Sequence, residues 1–219
     1  APVAGLPDTA LWVNKYAPHN FSELLSQEQV NRGVLQALKA WDPYVFKTTP
    51  KVRPAEQEPG PDGQAAKRDS RPEIHKRVIM LCGSPGMGKT TLAHVIAKHA
   101  GYEPMEINAS DDRSAAKIKE SVIRAMESKS MFGTRKPNCV ILDEIDGVDA
   151  RGAIQALVDI IKAPLGGLAN KKKKGGQALT RPVICICNDQ YTAHLRPLRE
   201  HAVMFNLKAL NPQRLLQRL

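Results

Sequence analysis

The run Gly83-Ser84-Pro85-Gly86-Met87-Gly88-Lys89-Thr90 spaces a glycine, four residues, a second glycine, a lysine and a hydroxyl. Glycines let successive backbone N–H groups wrap an anion, a lysine in this place sets a charge against phosphate oxygens, and the threonine hydroxyl is a hard donor for Mg²⁺. The run sits directly between an apolar stretch, Val78 to Cys82, and an amphipathic one, Lys89 to Ala100, which is the strand–loop–helix setting such chemistry requires. A chance glycine-rich turn explains the glycines but not Lys89-Thr90 where they stand. Residues Gly83 to Thr90, with Thr91, are therefore read as a site for ATP, and Lys89 and Thr90 as its charged and metal-binding members.

Two further strand ends carry polar groups. Cys139-Val140-Ile141-Leu142 runs into Asp143-Glu144, and a parallel sheet presents such residues to ligand at its carboxyl edge. Asp143 is placed to hold Mg²⁺, largely through its waters, and Glu144 to orient and polarise an attacking water. Acidic residues also cap helices, and Asp146 and Asp149 are read in that role. Val183-Ile184-Cys185-Ile186-Cys187 ends in Asn188, whose amide suits the γ-phosphate or the attacking water. Asn188-Asp189 alone is an ordinary turn; its order after the other two motifs favours the functional reading. Glu144, Lys89 and Asn188 form the candidate catalytic set.

The elements that must hold these residues alternate from Arg77 onward. Strand-like runs at Val78 to Cys82, Met105 to Asn108, Cys139 to Leu142, Val183 to Cys187 and Val203 to Leu207 are separated by helical ones at Lys89 to Ala100, Ser114 to Lys129 and Ala153 to Ala163. This pattern predicts an α/β fold with a parallel five-stranded sheet covered by helices on both faces. Residues 1–46 form an N-terminal arm in which Val30, Val34, Leu35 and Leu38 recur at helical spacing over Glu28 to Ala40. Residues 47–76 lose the hydrophobic pattern and gain prolines and glycines, as a solvated insertion would. The core is expected over 77–210, interrupted at 166–181 by a loop carrying Lys171-Lys172-Lys173-Lys174, read as a solvated charged loop that is also compatible with a nucleic-acid contact. A further helix begins near Asn211-Pro212, so the protein is expected to continue past Leu219.

With 219 residues, 42% hydrophobic and 25% charged, the chain has the composition of a globular protein with one sizeable core. A formal charge of +10 and a pI near 9.6 favour a polyanionic partner. With 5% aromatic residues, phosphate contacts suit that partner better than base stacking. Cys82, Cys139, Cys185 and Cys187 lie in or at the end of apolar runs and have no zinc spacing, which suits a reducing compartment. No signal-peptide pattern and no long apolar run is present, so a cytosolic or nuclear location is expected.

Together these motifs resemble the AAA+ superfamily: Walker A at Gly83 to Thr90, Walker B at Val140 to Glu144 and a sensor-1 asparagine at Asn188. Asn108-Ala109-Ser110-Asp111-Asp112-Arg113 resembles the N-A-S-D box of replication factor C-type sliding-clamp loaders. Val13-Asn14-Lys15-Tyr16-Ala17-Pro18 resembles their V-E-K-Y-R-P element, with Ala17 in place of its arginine. The pattern of Trp12, Phe21-Ser22-Glu23-Leu24-Leu25 and Trp41-Asp42-Pro43-Tyr44-Val45-Phe46 is most similar to large subunits of the alternative loaders associated with chromosome transmission fidelity and sister-chromatid cohesion.

That resemblance implies a P-loop NTPase of AAA+ type with a lid domain cut short at 211–219, a nuclear location, and a hetero-oligomeric ring with small replication factor C-type subunits. It implies a sliding clamp and primer-template DNA as partners. Val13, Tyr16 and Pro18 would lie against adenine, or simply pack beneath the phosphate loop. Arg113, Lys117 and Arg151, near two helix starts, would touch the DNA backbone, or remain solvated charges. Met131-Phe132, in a polar loop, would press onto the clamp, whereas Ile123 and Met126 also suit an ordinary core. Small subunits of such loaders carry a Ser-Arg-Cys motif before the last strand, whose arginine reaches a neighbour's ATP; here the triplet is Glu200-His201-Ala202. Neither Glu200 nor His201 replaces an arginine fork, and Arg196 and Arg199 nearby are read as packing or salt-bridging residues. The chain is thus expected to receive an arginine from a neighbour and supply none, and to hydrolyse ATP only in an assembly. The alternative is a structural ATP-binding scaffold with little hydrolysis that recruits clamp or polymerase partners. A branch-migration motor fits less well, because Asn108 to Asp111 argues against it.

Overall fold

The computed structural model describes residues 11, 15–46, 74–109, 115–127, 136–147, 151–163 and 179–209. Five strands are present among them: β1 (Val78–Cys82), β2 (Glu103–Asn108), β3 (Asn138–Asp143), β4 (Val183–Cys187) and β5 (Ala202–Asn206). The longer helices are α1 (Glu28–Lys39), α3 (Lys89–His99), α4 (Ala115–Glu127) and α5 (Arg151–Lys162). Two four-residue helices, α2 (Asp42–Val45) and α6 (Arg196–Arg199), each start with proline in the first turn. No helix among the described residues is long and apolar enough to cross a membrane.

The strands pair in the order β2-β3-β4-β1-β5, and every pairing is parallel. Parallel strands need crossover helices, and these bury both faces of the sheet, so β1 and β4 are buried at every residue. Alternate side chains serve opposite cores. Val78, Met80, Val140, Leu142, Val183 and Cys185 meet Ile118 and Val122 of α4 and Ile154, Leu157 and Ile161 of α5. Ile79, Leu81, Ile141, Ile184 and Ile186 meet Leu92 and Ile96 of α3 and Val34 and Leu38 of α1. The chain moves one way across the sheet from β1 to β2 and the other way from β2 through β3 to β4. With one crossover hand throughout, α3 must then cover one face and α4 and α5 the other, as they do.

Side chains at the amino edge fasten the helices. Arg77, just before β1, donates from Nη1 to the carbonyls of Ile161 and Ala163, both at 2.6 Å, at the end of α5. Asn138 donates from Nδ2 to Ala125 O of α4 at 2.8 Å.

The expected five strands and four longer helices are present, with altered ends. β2 begins at Glu103, two residues before Met105, and β5 is displaced one residue toward the amino terminus. α2, α6 and the short turns at Phe21–Glu23 and Ala193–Leu195 were not anticipated. Ile74, within the expected insertion, and Leu179, within the expected lysine-rich loop, are buried core residues. Residues 47–73, 164–178 and 210–219 lie outside the described residues.

The buried thiols and Tyr102 make stability sensitive to alkali. Burial pushes the Cys139 and Cys185 thiols up, and burial together with the hydrogen bond to Asp42 Oδ1 (2.9 Å) pushes the Tyr102 phenol up. In the unfolded chain thiols lose protons from about pH 8.5 and phenols from about pH 10. Above those values the native state binds more protons than the unfolded one, so stability falls as pH rises. The urea midpoint should therefore decline from about pH 8.5 upward, less steeply in Cys139→Ala, and the part above about pH 10 should flatten in Tyr102→Phe. A midpoint that climbs over this range would contradict the assignment.

Candidate functional site

β1, β3 and β4 all end at one edge of the sheet, and the sheet reverses its winding at β1 and β4. This is the place where doubly wound sheets admit ligands. The phosphate loop leaves β1 at Gly83, whose φ of +149° and whose missing side chain permit a close approach: a Cβ there would stand 2.7 Å from Leu207 O. Leu207 N donates to Cys82 O at 2.8 Å, so the end of β5 supports the loop from that side. Gly88 caps α3 in the left-handed region (φ +76°), a turn that other residues adopt at a cost, and directs the first amides of α3 into the loop.

Lys89 opens α3 and is only 7% exposed. Its ammonium donates to Gly83 O at 2.7 Å, Ser84 O at 3.0 Å and Asn188 Oδ1 at 2.8 Å. Thr90 donates from Oγ1 to Asp143 Oδ2 at 2.6 Å, and the other carboxylate oxygen of Asp143 accepts the Glu144 N–H at 2.8 Å. Glu144 is exposed and holds a left-handed backbone, φ +56°. Thus Gly83 to Thr90, Asp143, Glu144 and Asn188, separated by up to 105 positions in sequence, meet at one edge. Thr91 is exposed in the first turn of α3.

Thr90 Oγ1 and Asp143 Oδ2 are hard oxygen donors in contact. Two protein oxygens suit Mg²⁺, which keeps several waters and shares phosphate oxygens, better than a metal that requires a full protein cage. Among the described residues no group of three or more His, Cys, Asp or Glu side chains is placed to hold a metal. The donors thus fit Mg²⁺ carried with a nucleotide.

Two features here were not read from the sequence. Asp146, read as a capping residue, accepts with Oδ2 the N–H of Asn188 at 2.9 Å and of Asp189 at 3.1 Å, a role across the sheet edge that the sequence reading did not include. Its position three residues after Asp143 was the available signal. Beneath the loop, Cys82 and Cys187 are register partners, and Cys187 Sγ donates to Cys82 Sγ at 3.3 Å. That hydrogen bond lowers the Cys82 thiol, assisted by Lys89, against burial, and it raises Cys187.

Elsewhere the structure places some expected residues and not others. Tyr16 is 46% exposed and Pro18 half-buried. Lys117 and Arg151 are exposed near the starts of α4 and α5, neighbouring helices whose amino ends lie at the same edge as the site. Met126 is a core residue and Ile123 packs against that core. Arg196 is exposed and Arg199 half-buried, and neither makes an ion pair among the described residues, which leaves packing of the two alternatives expected for them. Val13, Arg113, Asp149, Met131 and Phe132 lie outside the described residues.

A strand–glycine loop–helix at the reversal of a parallel sheet, facing an acidic strand end, defines a P-loop NTPase fold. The chain belongs to the ATPase family associated with various cellular activities (AAA), whose model matches residues 79–204. Among individual proteins it is similar to the chromosome transmission fidelity protein 18 homologue of Xenopus laevis, 40% identical over 243 residues covering 96% of this chain and 24% of that protein. The homologue of the same name from Homo sapiens is 39% identical over 244 residues, covering 95% and 25%. The replication factor C large subunit of Pyrobaculum arsenaticum is 32% identical over 209 residues, covering 94% of this chain and 43% of its own length. The chain thus spans about a quarter of the eukaryotic relatives and under half of the archaeal one.

Proposed function

We propose that this chain is the nucleotide-binding module of a clamp-loader large subunit, which binds ATP to hold an open sliding clamp on primer-template DNA and hydrolyses it to release the clamp. The observation that carries the reading is Lys89, whose buried ammonium joins two carbonyls of the phosphate loop to Asn188 on another strand. Similarity to proteins named for chromosome transmission fidelity and for replication factor C supports the clamp-loader setting, and a nuclear location and a role in cohesion are part of the same proposal.

In this reading the loop amides and Lys89 bind the β- and γ-phosphates, and Val13, Tyr16 and Pro18 face the adenine. Thr90 and Asp143 would hold Mg²⁺, which supplies charge neutralisation to the phosphate oxygens. Glu144 orients a water against the γ-phosphorus and accepts its proton, while the Asn188 amide holds the γ-phosphate or that water. The water oxygen bonds to the γ-phosphorus as the bond to the bridging oxygen breaks, yielding ADP and inorganic phosphate. Lys117, Arg151 and Arg113 face the DNA backbone, and Met131 and Phe132 face the clamp. Glu200-His201-Ala202 gives no arginine to a neighbour, and a neighbouring small subunit supplies one here.

The test is reconstitution of the full-length protein with small replication factor C-type subunits, followed by clamp retention on primed circular DNA. Retention should require ATP, and its release should require this chain's own site to be intact. Retention equal in the presence and absence of this chain would overturn the reading. Normal loading and release with this site disabled would instead favour an ATP-binding scaffold.

A further inference from the structure

We propose that Asp146 is a positioning residue for Asn188, tying the turn after β3 to the turn after β4 so that the asparagine amide stays against Lys89. The inference rests on the reading of Asn188 as a phosphate-sensing group and adds the residue that sets its place.

The need for such a tie follows from the sheet. The register of β3 with β4 ends at Leu142 beside Cys185, whereas β4 continues to Cys187 beside Cys82 of β1. Past Cys185, therefore, β4 has a regular ladder on its β1 side alone. Three hydrogen bonds replace the ladder on the β3 side. Ile145 N donates to Ile186 O at 3.2 Å, and the single oxygen Asp146 Oδ2 accepts both Asn188 N at 2.9 Å and Asp189 N at 3.1 Å. The rest of the turn closes on itself: Tyr191 N donates to Asp189 Oδ1 at 2.8 Å, and Thr192 Oγ1 to Asp189 O at 3.2 Å. The Asp146 carboxylate is therefore the side-chain anchor of the Asn188 backbone to the acidic strand end, among the described residues.

A carboxylate that accepts two convergent backbone N–H groups makes charge-assisted bonds, stronger than neutral ones, and fixes direction as well as distance. Asn188 is exposed, so packing does little to restrain it. Its Oδ1 to Lys89 contact of 2.8 Å depends on where the main chain of residue 188 is held. Asp146 also lies two residues from Glu144, so any shift of the Glu144 turn is passed through this carboxylate to the asparagine. The residue that orients water and the residue that senses phosphate are thereby mechanically joined.

The test uses the reconstituted complex in which this chain's site is the sole active one. Asp146→Ala should lower the hydrolysis rate about 10- to 100-fold, in line with the loss of an orienting outer group, while ATP affinity stays within about threefold. Asp146→Asn, whose amide oxygen still accepts both N–H groups, should recover most of the rate. Amide hydrogen exchange at Asn188 and Asp189 should quicken in Asp146→Ala and not in Asp146→Asn. Asn188→Ala should reproduce the rate loss, and the double variant should be no slower than either single one.

A full rate in Asp146→Ala, beside a slow Asn188→Ala, would overturn the proposal and leave the reading of Asn188 intact. Full rates in Asn188→Ala and Asp146→Ala alike would sink both. If Asp146→Ala does not fold, an Asp146→Asn as slow as Asn188→Ala, with unchanged exchange at 188 and 189, also counts against it.

Discussion

Lys89→Ala is expected to weaken ATP binding about a hundredfold. Hydrogen bonds from a charged donor contribute roughly 1.5–3 kcal/mol each, and every 1.4 kcal/mol is tenfold in affinity. Lys89 is, among the described residues, the side-chain cation held within the loop, 7% exposed and already directed by Gly83 O and Ser84 O. These carbonyls and Asn188 Oδ1 are its partners, so alanine also leaves three acceptors without their donor. Ser84 and Asn188 are exposed and their oxygens can turn to water, so the accompanying loss of stability should be modest, about 0.5–1.5 kcal/mol. Lys89→Arg should not rescue binding, because a planar fork does not reproduce three divergent contacts from one nitrogen. Titration with a fluorescent ATP analogue, beside a urea unfolding curve, separates the two effects. Affinity within threefold of the unaltered chain would remove Lys89 from the site.

Glu144→Gln should have the opposite profile: ATP retained, hydrolysis lost by at least about a hundredfold. A positioned general base contributes roughly 10²–10⁴ in rate, and glutamine keeps the size of the side chain while removing its basicity. The main chain of Glu144 donates to Asp143 Oδ1, a bond that glutamine preserves, so the Thr90–Asp143 pair should be undisturbed. Single-turnover hydrolysis is the readout, in an assembly where the phosphate-loop lysines of the neighbouring subunits are replaced. Unchanged turnover there would exclude Glu144 as the base.

How far the fold was legible from sequence depended on where each element lies. Strands β1 and β4 are central and buried on both faces, so Val78 to Cys82 and Val183 to Cys187 stand out as unbroken apolar runs with sharp ends. β2 is an edge strand whose first residue, Glu103, is exposed, and a polar start followed by Pro104 conceals two residues of it. α2 and α6 are four residues long, too short for a helical period to develop. The site was legible for a different reason. Gly83 to Thr90 is a local motif, and Asp143 and Asn188 each follow an apolar strand, so the parallel-sheet rule alone brings them to one edge. What stayed hidden depends on register. Asp146 reaches a turn 42 positions away, and Cys82 meets Cys187 because their strands pair in step.

The left-handed backbone at Glu144 has a consequence for how this position evolves. A residue with a Cβ spends about 1–2 kcal/mol in that region, whereas glycine adopts it freely and asparagine tolerates it. A sequence optimised for folding alone would place one of those two at 144. On the proposed reading of Glu144 as the base, glutamate there sets thermodynamic preference against chemical need at a single peptide unit. Under that reading, drift toward a sturdier domain leads toward an inert one, and long-term retention of glutamate would itself record selection for turnover.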